Sequence, residues 1–178
     1  MKWTGSISKP WTPIYAQIDL KDCVVKIKDG ATPANEITVK IGEGNLTYSE
    51  RRNIEYVKDR GNLDVVREGD EEQLEVRIDA VWEYIEEDSG QTPTIEDALK
   101  KRGGAYDWES SSADACEPFA VDIEVTHTPD CTTGDIETLT FPDFRHEQLD
   151  HDLRAGTISV SGHCNIKEPT SSRVSQSS

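Results

Sequence analysis

The chain has 178 residues, and 35 acidic side chains against 19 basic ones leave a formal net charge of -16. That length suits one domain with a real core, while a pI near 4.5 argues against a protein that coats nucleic acid by neutralising phosphates. No run reaches the roughly 18 apolar residues that a bilayer span needs.

A mean hydropathy of -0.66 leans toward disorder, but regular apolar alternation along the chain argues for a fold. The opening Met1-Lys2-Trp3-Thr4-Gly5-Ser6 lacks the apolar core of a secretion signal. Cys23, Cys116, Cys131 and Cys164 are widely spaced with no C-x-x-C pair, so free thiols in a reducing cytosol are expected.

In chain order, residues 1–20 carry Trp3, Pro10, Trp11, Pro13 and Tyr15. Two prolines three apart deny the segment a regular helix, and its aromatics want burial, so it reads as an arm that packs on something. Strands are expected at Cys23 to Lys28, Ile37 to Ile41, Leu46 to Tyr48, Ile54 to Val57 and Leu63 to Val66, separated by turn signals such as Asp29-Gly30 and Arg60-Gly61-Asn62. The strongest signal lies at 74–84. Leu74, Val76, Ile78, Ala80, Trp82 and Tyr84 fill every even position, with Glu75, Arg77, Asp79 and Glu83 between them. Successive strand side chains point to opposite faces, so this is one long strand, apolar on one side and charged on the other.

A helix is specified at 95–102. Thr94 caps it and Asp97 completes a capping box; Glu96 and Asp97 load the positive end, Lys100, Lys101 and Arg102 the negative end, and Gly103 offers a left-handed stop. After the polar loop Ser110 to Asp114, strands return at Phe119 to Val125, Ile136 to Phe141 and Thr157 to Ile166. Residues 169–178 form a Ser-rich tail without apolar periodicity, expected to be flexible. The fold class is mainly β, an antiparallel sandwich or barrel with one flanking helix.

Reactive constellations are sparse. Asp143 to Asp152 is the richest stretch in metal ligands, yet it lacks H-E-x-x-H and calcium-loop spacing and reads as an exposed polar loop. His163 and Cys164 are adjacent on a strand, so they point to opposite faces. No G-x-S-x-G, Walker loop or G-x-G-x-x-G occurs. No catalytic residue, metal site or cofactor is expected, and the chain is not read as an enzyme. Charge is more telling: ten acids and a single base, Arg77, lie between Glu68 and Asp88, while Arg51, Arg52, Lys58 and Arg60, and again Lys100, Lys101 and Arg102, cluster elsewhere. Ordinary surface charge accounts for this. Its sharper reading is head-to-tail self-association, the basic patch of one copy meeting the acidic band of the next.

The order Gly42-Glu43-Gly44-Asn45-Leu46-Thr47-Tyr48, Arg51-Arg52-Asn53-Ile54-Glu55-Tyr56, Asp59-Arg60-Gly61 and Glu68-Gly69-Asp70-Glu71-Glu72 before the long strand resembles a major tail tube protein of long-tailed, siphovirus-like bacteriophages. The helix at 94–102 and the closing Phe141-Pro142-Asp143-Phe144, Asp150-His151-Asp152-Leu153 and Gly156 to Gly162 carry the same resemblance, which spans roughly residues 20 to 168.

The resemblance implies a β-sandwich, residues 21–168, that forms hexameric rings stacked head to tail into a hollow tube, with DNA passing through the lumen. It also implies a tape-measure protein, a tail terminator and distal tail or baseplate proteins as partners, and a place in the virion after assembly in the host bacterial cytoplasm. An acidic lumen would repel phosphate and let DNA slide. The expected lumen face is therefore the charged side of the long strand (Glu75, Asp79, Glu83) or an equivalent acidic strand at Asp122 and Glu124; acids facing outward or the adjacent ring remain the alternative. The expected inter-subunit arm is Trp3, Trp11 and Tyr15. Competing readings are the inner tube of a contractile tail or phage-like secretion system, a monomeric carbohydrate-binding module using Trp82, Trp108 or Trp11, and a metal-dependent enzyme built on Asp143 to Asp152.

Overall fold

The computed structural model describes residues 18–83, 92–129 and 134–175. The arm residues Trp3, Trp11 and Tyr15, together with Tyr84 and Cys131, lie outside them. Ten strands and one α-helix follow in order: β1 (Cys23–Lys28), β2 (Glu36–Val39), β3 (Leu46–Ser49), β4 (Ile54–Asp59), β5 (Asn62–Glu68), β6 (Leu74–Val81), α1 (Ile95–Lys100), β7 (Val121–His127), β8 (Asp135–Asp152), β9 (Thr157–Cys164) and β10 (Thr170–Ser175). The architecture is the expected one, an antiparallel β fold with one short helix.

Two sheets share β8. Its first part pairs with β10 and β7, and from Arg145 onward it pairs with β9. The first sheet continues from β7 to β1 and β2, the second from β9 to β6 and β3. The crossing point is Phe141-Pro142-Asp143-Phe144. There β7 advances from Val121 to Ile123 while β8 moves from Phe144 back to Phe141, a bulge that leaves Pro142 and Asp143 without ladder partners. Pro142 has no N–H to donate, so the bulge is where a strand can hold it. Asp143 adopts φ 53, and its N–H bonds the Asp122 carboxylate at 3.0 Å while its own carboxylate accepts from the Ser111 hydroxyl at 3.0 Å.

The inward faces meet in one core. Leu74, Val76, Ile78 and Ala80 of β6 face Val25, Ile27 and Ile123 across Phe141 and Phe144, with Ile158 and Val160 completing the layer. The β6 alternation is as expected over Leu74–Val81; Trp82 and Glu83 lie past its end. β9 alternates over all eight residues, and Gly162 is required there, because a Cβ would sit 2.0 Å from the Arg145 carbonyl oxygen.

α1 docks Ile95, Ala98 and Leu99 on this core. Its capping box is formed, the Asp97 N–H bonding the Thr94 hydroxyl and the Thr94 N–H bonding the Asp97 carboxylate, both at 3.3 Å. The stop comes earlier than expected: Lys101 takes the left-handed conformation (φ 52) and its N–H bonds the Asp97 carbonyl. Gly103, also left-handed, opens a single 3-10 turn instead.

Two expectations are corrected. Asp143 to Asp152 is strand, not loop. Its polar residues alternate between the two sides of the strand: His146 and His151 lie opposite the inward positions Gly162 and Ile158, and Asp150 opposite the outward Ser159. A second bulge between His146 and Gln148 breaks the period of two that would have revealed it. The Ser-rich tail is a strand over Thr170–Ser175, paired residue for residue with Asp135 to Thr140. All its residues are exposed. A backbone ladder with both faces wet leaves no hydrophobic pattern to read.

Candidate assembly surfaces

The five acids proposed for a lumen wall do not share a face. Glu75 and Asp79 stand on the outer side of β6 in the second sheet, Glu83 lies past the strand's end, and Asp122 and Glu124 stand on the outer side of β7 in the first sheet. Each has a local partner. Arg51 pairs with Glu75 at 3.0 Å, and Arg77 approaches Asp79 at 3.6 Å while the Ser159 hydroxyl donates to it. Lys40 lies 3.8 Å from Glu83. Lys28 pairs with Glu124 at 2.7 Å, and Asp122 is spent on the Asp143 N–H. Members of the basic clusters are likewise engaged within the chain: Arg52 with Glu68 at 3.1 Å, Lys100 with Glu96 at 2.6 Å and Arg102 with Asp97 at 3.2 Å. Exposed pairs of this kind contribute little stability, but they lower the field that either face presents.

Of the tryptophans considered for a sugar platform, the structure removes Trp108. Trp108 is 4% exposed and belongs to the core, where a sugar cannot reach it. Trp82 is half-buried, its ring edge to face with His151 at 4.8 Å; Trp11 is outside the described residues.

The sites weighed for chemistry come apart in the same way. Cys164 is buried and His163 lies on the other face, 3.0 Å from Glu147. Burial pushes the Cys164 thiol up to about 12, and the Asp122 and Asp143 carboxylates add to the shift, so it is a thiol and a poor nucleophile at neutral pH. Along β8, alternation and the bulges distribute Asp143, His146, Glu147, Asp150, His151 and Asp152, and no three His, Cys, Asp or Glu side chains converge as a metal site among the described residues. Burial lowers the pKa of His146, with Lys100 adding to it. At Glu96 burial works the other way, but the Lys100 hydrogen bond and the Arg102 and Lys100 charges outweigh it and hold the carboxyl below its usual range.

An uncovered apolar surface lies where sequence reasoning located strands but did not single them out. Among the described residues, β4 and β5 form a two-stranded ribbon paired only with each other. Its two-residue loop, Arg60-Gly61, has φ 48 and 89, the double positive φ of a tight hairpin whose twist matches its strands. At the base the Gly69 N–H bonds the Asn53 carbonyl at 2.8 Å, so the ribbon leaves and rejoins the sandwich through a pinched neck. Every residue of both strands is exposed. Register places Ile54, Tyr56 and Val66 on one face, with Leu63 beside them because the bulge after Val57 sets it opposite Lys58, and Val57 and Val65 on the other. Exposure reaches 60% at Tyr56, 59% at Val66 and 69% at Leu63. An isolated hairpin is marginal in water, and apolar side chains on both of its faces call for a covering surface. The available signal was that the Ile54 to Val66 hydrophobics fall on both parities, which a half-buried sheet edge does not need.

Neither a protein-family model nor a curated protein matches the sequence. The fold is similar to a chain in the cryo-EM structure of an extracellular contractile injection system, the PVC sheath/tube terminator in its extended state. The TM-score is 0.53 at 11% sequence identity, over 89% of this chain and 99% of that one. At that identity the likeness is one of fold. Among the described residues, no helix is long and apolar enough to cross a membrane.

Proposed function

We propose that this protein is a structural subunit of a phage-tail-like particle and acts through copies of itself, not through reactive side chains. The observation that carries the reading is the β4–β5 ribbon, a paired but uncovered element with four apolar residues on one face and two on the other. The shared fold with a chain of a sheath/tube terminator structure supports it. In this reading the copies form hexameric rings that stack into the hollow tube of a tail, assembled in the bacterial cytoplasm, around a tape-measure protein and between a terminator and distal proteins. DNA passes without specific binding, and the charge of -16 keeps phosphate from adhering. Short four-residue strands at two sheet edges, β2 and β3, offer backbone ladders that a neighbouring subunit would complete.

A second reading is favoured by the same likeness: a single ring that closes the end of a tube in a contractile particle, since the similar chain comes from a terminator structure. Negative-stain microscopy of purified protein over a concentration series tests both. Long stacked tubes support the tube subunit, isolated rings support the terminator, and persistent monomers at every concentration contradict both.

A further inference from the structure

Resting on the self-assembly reading, we propose that the ribbon of one copy docks on the outer face of the first sheet of a second copy, over the patch Val24, Thr126, Ile136, Thr138, Ser172 and Val174. Strand register brings these six together. Val24 opposes Thr126 between β1 and β7, Thr126 opposes Thr138 between β7 and β8, and on β10 Ser172 opposes Thr138 while Val174 opposes Ile136. None is charged. The nearby ion pair of Arg173 with Glu137 belongs to the opposite parity and so to the other face. Val24 is 44% exposed and Val174 62% exposed, while Thr126 and Thr138 turn their hydroxyls toward each other at 3.4 Å. The patch is a level, β-branched surface with its polar groups partly satisfied laterally.

Charge decides what covers it. Two copies at -16 each repel, and screening at physiological salt acts over only about 8 Å, so close approach is least opposed where both surfaces are near neutral. The patch is the uncharged end of its face: Lys26, Lys28, Asp122 and Glu124 share its parity but lie farther along β1 and β7, with Lys28 and Glu124 paired at 2.7 Å. On the outer face of the second sheet, by contrast, Glu75, Arg77 and Asp79 occupy the middle of β6. The ribbon is also near neutral: residues 54–68 hold four acids and three bases, with Arg67 and Glu55 paired at 2.6 Å. Ribbon and patch are different surfaces of one chain, so each copy offers one of each, and the contact is head to tail.

The test is a mixing experiment read by sedimentation velocity on full-length chains. Tyr56→Asp with Val65→Asp charges both ribbon faces and leaves the patch intact. Thr138→Lys with Ser172→Glu charges the patch as an opposed pair that preserves strand pairing, and Thr126→Lys does so independently from β7; circular dichroism confirms folding. Each variant alone is expected to lose association and run as a monomer. An equal mixture of the ribbon variant and either patch variant is expected to give dimers that grow no further. Added salt should strengthen the wild-type contact by screening repulsion. Patch variants that assemble like the wild type, a mixture that stays monomeric while the wild type associates, or association weakened by salt each overturn the docking while leaving self-assembly standing. A wild type that is monomeric at every concentration removes the self-assembly reading and this inference with it.

Discussion

The sandwich and the ribbon are made of similar residues in opposite circumstances. In β6, Leu74, Val76 and Ile78 are fully buried, and the acids between them find partners on the outer face. In β4 and β5, Tyr56, Val57, Val65 and Val66 have comparable apolar bulk and no layer to cover them. The sandwich is complete within one chain. The ribbon has backbone pairing without burial, and burial of apolar surface is the dominant favourable term in association. The contrast separates what folds the monomer from what is left for another molecule.

The sharpest way to break that contrast is a matched pair of truncations. Phe141→Ala in the core should cost about 3–5 kcal/mol of unfolding free energy, whereas Leu63→Ala in the ribbon should change it by less than about 0.5 kcal/mol, both read by urea denaturation of the monomer. Replacing residues 54–68 by a two-residue Asn-Gly link between Asn53 and Gly69, already hydrogen-bonded at 2.8 Å, should leave the melting temperature of the monomer nearly unchanged and abolish assembly.

Next in size is Asp29, a buried carboxylate that ties two loops together. It accepts from Asn35 twice at 2.7 Å and from the Ala31 and Glu109 N–H groups at 3.2 Å. Asp29→Ala leaves these donors without an acceptor, at about 1–3 kcal/mol for a buried unsatisfied group; calorimetry of the variant checks it. Thr94→Ala removes the N-cap of α1 and should cost about 1 kcal/mol.

The smallest expected effect is one of pH. The folded pKa of His146 lies below its ordinary 6.5, so the unfolded chain takes up its proton first. The stability contributed is present above 6.5 and lost as pH falls through the folded pKa. The melting temperature should therefore drop on acidification below neutrality, and the drop should be shallower in His146→Gln.

Much of the sandwich was legible because burial on one face writes a period of two, as in Leu74 to Val81 and Thr157 to Cys164. The Thr94 capping box was equally plain, since its partners are three residues apart. The second half of β8, past the expected strand at Ile136 to Phe141, and β10 were hidden for physical reasons. Bulges at Val121/Ile123 and His146/Gln148 shift the parity of one, and the other is held by its backbone alone. The acids at Glu75, Asp79, Asp122 and Glu124 could be assigned to strands but not to a common wall, because which sheet each strand joins depends on long-range pairing. The uncharged patch on the first sheet is illegible for the same reason: Val24, Thr138 and Ser172 are far apart in sequence and meet only through register.

Amide hydrogen exchange followed along the chain, in dilute monomer and in assembled material, tests the central claim most directly. The account predicts fast exchange in 54–68 of the monomer, strong protection of the same amides after assembly, and little change in β6 and β9. Ribbon amides as protected in the monomer as those of β6, or still unprotected in the assembled particle, would contradict it.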